Sequence, residues 1–345
     1  MIFIHSLLVC WPQLQNLQQL ASRGLFRQPL KVITVSFRQA TFGKIALVFV
    51  CSASVYAGAI SDTNGEIRIC TYNVENYLTM PRWVNGKLRR NAGKPESERE
   101  AVTRMIETIH PDVIGLMEIG EMRQLEEVQS RLRKSGIDYP YAEYLQGSDT
   151  TRHIAMLSRY PIIERHSRGE LPLWVNGVTL HSPRGLLDVT VEPAPGYRLR
   201  ILCVHLKAKL EVAEYDETQL RLAESKEIRR IVRDILRIDP ETRLILMGDF
   251  NDTKNGEPLW QISGKPDWPD SLRAAALVDD RGESWTEYWS AADVYSRIDY
   301  ILTAKKLEPE INMAHSGIAR PSFWNEASDH CPLSLSLKIP RTTTP

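Results

Sequence analysis

Six groups of polar side chains in this 345-residue chain stand where apolar runs stop. Asn73 and Glu75 follow the run "ICTY", Glu118 follows "VIGLM", and His205 and Lys207 follow "ILCV". Asp249 and Asn251 close "LILMG", Asp299 sits within "SRIDYIL", and Ser328, Asp329 and His330 precede the final apolar run. Each group alone has an ordinary structural reading. Asparagines hold turns, an aspartate caps a helix or turn, and a lone histidine is more often a bonded structural residue than a catalyst. Gathered at one edge of a sheet, however, the carboxylates would repel one another, and buried carboxylates are costly unless paired or bound to a cation. The donors are carboxylate and amide oxygens, with no thiolate and with histidines to spare. Such a set suits a hard divalent ion, Mg2+ or Mn2+, better than Zn2+.

The elements that would position these groups can be read from periodicity. "IRICTYNV", "DVIGLME", "HIAMLS", "RLRILCVHL", "RLILMG" and "RIDYILT" read as strands, and "PLSLSLKI" alternates strictly, as a strand buried on one face should. Residues 96–110 place Ala101, Met105, Ile106 and Ile109 on one helical face, with Pro111 ending the helix. A second helix turns Met122, Leu125, Val128 and Leu132 inward and stops at Gly136, and a third spans 216–238 with Leu220, Ala223, Ile231 and Ile235 on its core face. Residues 80–95, 166–185 and 252–296 read as loops. Alternating strands and helices with both hairpin and crossover connections fit one α/β domain over residues 62–340, in two or more layers and without an internal repeat.

In this order and spacing, "TYNVENY", "PDVIGLMEI", "VHLKAK", "MGDFND", "SRIDYIL" and "SDHCPL" resemble the motifs of the endonuclease/exonuclease/phosphatase superfamily, the deoxyribonuclease I-like group. The resemblance spans roughly residues 67–338. It implies an α/β four-layer sandwich, two packed mixed β-sheets with helices on the outer faces, and metal-dependent hydrolysis of a phosphate ester at the loop end of the sheets. Carried over residue by residue, it assigns the metal to Glu118, with Asn73 next to it and Asp329 contributing. Asp249 becomes the base that activates water, Asn251 holds the phosphate or that water, and His330, aligned by Asp299, donates to the phosphate. His205 stabilises the transition state from the other side, and Lys207 and Arg152 are candidates for binding substrate. The acid that many members place before "IAMLS" to pair with this histidine is not in register here. The segment reads "TTRHIAMLS", leaving either Asp149 or a different partner.

Composition bounds the partners. The chain carries 43 basic and 43 acidic residues; five of the basic ones and none of the acids lie in residues 1–60, leaving 38 against 43 beyond. That is not the footprint of a protein that coats nucleic acid. Lys44 precedes the apolar run 45–57, "IALVFVCSASVYA", which has signal-peptide length and small residues at Val55 and Ala57, so export to the periplasm or the outside is expected rather than a membrane anchor. Cys70, Cys203 and Cys331 lie in or beside strand-like runs and read as buried free thiols, neither a disulfide framework nor a zinc site.

The expected partner is a phosphate-ester substrate, with DNA or RNA among the candidates; no stable protein partner is implied, and a monomer is expected. A nuclease or phosphodiesterase leads over a phosphomonoesterase or sphingomyelinase, and a non-catalytic binding domain on the same fold is the alternative of another class. The basic stretch "RWVNGKLRRNAGK" could contact a nucleic-acid backbone or simply be solvated. Trp268, Trp285, Trp289 and Trp324 could stack on bases, touch lipid or pack between sheets and loops.

Overall fold

A computed structural model describes residues 65–209 and 216–340, all within one compact unit. The segment 1–60, with the expected signal run 45–57, lies outside the described residues. In chain order come β1 (Glu66–Tyr77), the hairpin β2 (Met80–Val84) and β3 (Lys87–Ala92), α1 (Glu96–Ile109), β4 (Val113–Ile119) and α2 (Met122–Lys134). Next are β5 (Tyr141–Leu145), β6 (His153–Ser158), β7 (Ile162–Arg165), the hairpin β8 (Pro172–Val175) and β9 (Val178–His181), and β10 (Leu187–Ala194). The chain continues with β11 (Tyr197–His205), α3 (Glu217–Ile238), β12 (Leu244–Asp249), α4 (Glu257–Ser263) and β13 (Leu272–Ala274). It closes with the hairpin β14 (Glu287–Trp289) and β15 (Val294–Ser296), β16 (Asp299–Ala304), β17 (Gly317–Ile318), α5 (Trp324–Ala327) and β18 (Leu333–Lys338).

Two six-stranded mixed sheets carry the fold, in the orders β17-β18-β1-β4-β6-β5 and β13-β16-β12-β11-β10-β7. Their alternating side chains feed three apolar layers. Ile67 and Ile69 of β1 meet Ile201 of β11 and Ile245 of β12 between the sheets. Cys70, Tyr72 and Val74 of β1 turn the other way onto α1 and α2, while Leu202, Leu244 and Leu246 turn onto α3 and α4. The expected four-layer α/β sandwich is therefore present. Close approach of the sheets fixes Gly115 in β4, since a Cβ there would stand 2.7 Å from the Cys203 sulfur. Cys70, Cys203 and Cys331 are buried free thiols.

Three expectations are corrected. Residues 80–95 are largely a hairpin turned by Asn85 and Gly86, both at positive φ, because Asn-Gly is the preferred two-residue turn and overrides the charge-rich, loop-like composition. Hairpins and a short helix likewise occupy parts of 166–185 and 252–296. Met122 is not inward but 46% exposed, because it opens α2 one turn before the buried stripe of Leu125, Val128 and Leu132 begins.

Register brings the polar strand ends level. β11 and β12 run parallel with His205 beside Asp249, and β12 and β16 run antiparallel with Asp249 beside Asp299. In the other sheet Asn73 of β1 is level with Met117, one residue before Glu118.

Candidate active site

Gly248 admits Asp249 to this row. Its φ is +140°, and a Cβ would fall 1.9 Å from the Val204 carbonyl oxygen of the neighbouring strand. Beyond it, Asn251 takes φ +49°, its backbone N–H donating to Asp249 Oδ1 at 2.8 Å and its side chain to the Leu206 carbonyl at 3.0 Å. Across the gap between the sheets, β1 bulges just after Asn73, with Glu75 and Asn76 at positive φ. Glu118 also takes positive φ, +61°. Backbone outliers of this kind persist only where surrounding structure holds them.

The Asn73 amide nitrogen links the two sheets. It lies 3.0 Å from Asp249 Oδ2, 3.5 Å from Glu118 Oε1 and 3.4 Å from His330 Nε2. His205 Nε2 stands 3.6 Å from Asp249 Oδ2 and 3.9 Å from Glu118 Oε1, and His330 Nε2 stands 3.9 Å from Asp249 Oδ2. Asn73, Glu118, His205, Asp249 and His330 thus converge on one point. Asp299 accepts from His330 Nδ1 at 2.8 Å, behind that point. Asp329 Oδ1 is 3.9 Å from His330 Nε2, while its backbone N–H donates to Glu75 Oε2 at 3.2 Å.

Charges in this cluster strain against burial. Burial first, and the adjacent Asp299 carboxylate second, raise the Asp249 carboxyl above the ordinary range, with His330 and the Asn251 and Asn73 donors opposing. Burial works against a charged His330 ring, yet the carboxylates of Asp299, Asp249 and Asp329 hold its pKa well above the usual histidine value. His205 moves the opposite way, lowered by burial, then by the Arg184 guanidinium, with His330, Arg152 and Lys207 adding to it. Glu75 and Asp329 are both raised, by burial first and then by nearby carboxylates.

This excess of acid oxygens fits a divalent cation. Glu118 and Asp329 supply hard oxygen donors, Glu75 adds another beside Asp329, and no thiolate competes, while Asn73 turns its amide nitrogen to Glu118 and Asp249 and its Oδ1 accepts from the Glu75 backbone N–H at 3.0 Å. A second group, one ligand atom each from Asp249, Asp299 and His330 within 4.8 Å of one another, could also hold an ion. There, however, Asp299 is already engaged by the His330 ring at 2.8 Å. The family resemblance pointed to the first set; Glu75, read in the sequence only as one of the polar residues at the strand ends, was given no part in it. Its signal was its place two residues after Asn73, which the β1 bulge turns toward Asp329.

Arg152 reaches the cluster, donating from Nε to Asn76 Oδ1 at 2.9 Å and lying 3.8 Å from Glu118 Oε2. Lys207 is buried and borders a cavity of about 520 Å³ with Asp149, His181 and Arg184. Asp149 does not serve His205. It accepts from Thr151 and the Arg152 backbone and pairs with Arg184 at 3.3 Å, while His205 Nδ1 has no hydrogen-bond partner. The Arg184, Arg152 and Lys207 cations instead act on this ring, each disfavouring its charged form. Arg184, which no sequence signal marked, is buried with its Nε and Nη1 groups unpartnered.

The sequence profile of the Endonuclease/Exonuclease/phosphatase family matches residues 70–330, and the chain belongs to that family of phosphate-ester hydrolases. No curated protein sequence is significantly similar. Among solved structures, the human Nocturnin catalytic domain with bound sulfate is similar at TM-score 0.54 and 17% identity, covering 79% of this chain and 94% of that one. Beta toxin 275-280 from Staphylococcus aureus is similar at TM-score 0.54 and 16% identity, covering 78% and 99%. A family protein from Leptotrichia buccalis is similar at TM-score 0.54 and 19% identity, covering 79% and 99%. At such identities these structures establish the fold alone.

Proposed function

We propose that this protein is an exported, monomeric phosphodiesterase dependent on Mg2+ or Mn2+, with DNA or RNA as the leading substrate. The observation that carries the chemistry is the convergence of Asn73, Glu118, His205, Asp249 and His330, each joined to at least two of the others by contacts of 3.0–3.9 Å across the gap between the sheets. Glu118, with Asn73 and Asp329, would hold the ion. When bound, it supplies Lewis-acid stabilisation of a phosphate oxygen and lowers the repulsion among the acids. Asp249 takes the proton of the attacking water, and Asn251, fixed by its bond to the Leu206 carbonyl, orients that water or the phosphate. His330, kept charged by Asp299, donates to a phosphate oxygen, and neutral His205 stabilises the developing charge from the opposite side. Arg152 and Lys207 bind flanking phosphate.

The decisive experiment offers purified protein, with each metal in turn, bis-p-nitrophenyl phosphate, p-nitrophenyl phosphate, plasmid DNA and sphingomyelin. Cleavage of the diesters and DNA is expected. Failure on every ester, or full activity in Asp249→Asn and His330→Ala, would refute the mechanism. N-terminal sequencing of secreted protein should begin near Gly58; a Met1 start in the cytoplasm would refute export. A phospholipid diester is the second reading, favoured by exposed tryptophans on the hairpins around the site.

A further inference from the structure

Three two-stranded hairpins grow from the edge of the catalytic cluster. β2–β3 leaves the end of β1 that carries Asn73, and Arg82 on it donates to the Asn76 carbonyl at 2.6 Å. β8–β9 returns into β10, which starts at the catalytic end, since Leu187 is level with Cys203 two residues before His205. β14–β15 bridges to His330 through Glu287, and the Tyr288 backbone N–H donates to the Asp329 carbonyl at 3.0 Å.

Each hairpin carries a tryptophan outward. Trp83 is 75% exposed, Trp174 72% and Trp289 56%. The first two belong to the same tetrapeptide, Trp-Val-Asn-Gly, at 83–86 and 174–177, where Asn and Gly both take positive φ and form the turn. Four residues are too few to register as a sequence repeat, yet they build the same tip twice. Aliphatic neighbours accompany two of the indoles, Leu88 facing Trp83 across one hairpin and Val294 facing Trp289 across another, while on the third hairpin Trp174 faces Thr179 and Val178 faces Val175 at the turn. Leu88, Val178 and Val294 are at least 44% exposed. On β3, Lys87 and Arg89 alternate with Leu88, and Lys87, Arg89 and Arg90 have no ion-pair partner among the described residues.

We propose that these hairpins dock the enzyme on an anionic lipid surface, with the catalytic cluster facing the bilayer. Tryptophan and aliphatic side chains lower their free energy at the lipid–water boundary, and basic side chains on the flanks meet lipid phosphates. Nucleic acid fits less well. The hairpin from Leu171 to Leu180 has no charged residue to neutralise a phosphate backbone, and Leu88, Val178 and Val294 provide nothing for base stacking. Docking does not depend on which ester is cleaved.

The test floats the full chain with vesicles of phosphatidylcholine alone and of phosphatidylcholine with phosphatidylglycerol, and repeats the binding with brominated acyl chains. Wild type should float with the anionic vesicles and show indole quenching. The Trp83→Ser/Trp174→Ser pair should weaken binding at least about tenfold, and Lys87→Glu/Arg89→Glu should weaken only the phosphatidylglycerol-dependent part. Turnover of bis-p-nitrophenyl phosphate should stay unchanged in both, which also shows that they fold, and Trp260→Ala, a surface tryptophan on α4, should bind like wild type. The proposal is overturned if wild type does not float, if the tryptophan pair floats equally well, or if the indoles respond to a single-stranded oligonucleotide and not to vesicles. Vesicle binding without any esterase activity would leave docking intact and sink the catalytic reading instead.

Discussion

His330 and His205 stand on two sides of Asp249, with Nε2 atoms 3.9 and 3.6 Å from the same carboxylate oxygen, but their far ring nitrogens meet opposite surroundings. His330 Nδ1 is backed by Asp299 at 2.8 Å, while His205 Nδ1 has no partner and Arg184, Arg152 and Lys207 raise the potential around it. One residue type is thereby driven toward the charged form on one side and the neutral form on the other. A third histidine provides the surface control. His315 Nδ1 also lies 2.8 Å from a carboxylate oxygen, that of Glu66, yet it is more than half exposed and remote from the site in the fold. Equal distance does not give equal consequence. Burial decides whether a histidine–carboxylate pair can direct chemistry or only adds to stability.

The comparison can be broken at its centre first. Asp249→Asn removes the shared carboxylate and should lower kcat by about a thousandfold with either metal, read on bis-p-nitrophenyl phosphate. Asp299→Asn should cost about a hundredfold and lower the His330 pKa, moving the alkaline limb of the kcat profile to lower pH. An unmoved limb would show that Asp299 does not control His330. His205→Asn should cost about tenfold to a hundredfold with the limbs in place, because a neutral ring contributes no ionisation across the working range. Should the acid limb disappear in that variant, His205 titrates and the asymmetry is wrong.

The smallest effect belongs to the surface pair. Glu66 is held down to about 2 from 4.5, by the His315 hydrogen bond first and by Ser336 and Asn312 with it. A depressed carboxyl stabilises the fold above its ordinary pKa, and the contribution is lost as pH falls from about 4.5 toward 2. Glu66→Gln should therefore lower stability at pH 7 by about 1 kcal/mol in urea unfolding, by less below pH 4, and leave kcat unchanged.

Much of this site was legible one strand end at a time. Asn73, Glu118, His205, Asp249 and His330 each follow or precede an apolar run, and those short apolar runs, the last of them strictly alternating, identified the strands beside them. Less legible were features that depend on a single backbone reversal. The Asn85–Gly86 turn made a hairpin where basic composition read as a loop, and the bulge after Asn73 turned Glu75 into the cluster. Arg184 gave no local signal at all, since its relation to His205 arises only when the segment after β9 packs beside β11.

What the sequence determined by itself is the set of elements and the chemistry offered at their ends, because apolar period and residue type are local properties. The tertiary structure decided which ends meet and in what electrical state. Strand register set Asp249 between His205 and Asp299, sheet packing brought Asn73 and Glu118 across to it, and the absence of an acid at His205 Nδ1 became visible only there. Pair energies inside the protein depend on distance and burial, and residues more than a hundred positions apart acquire both only on folding.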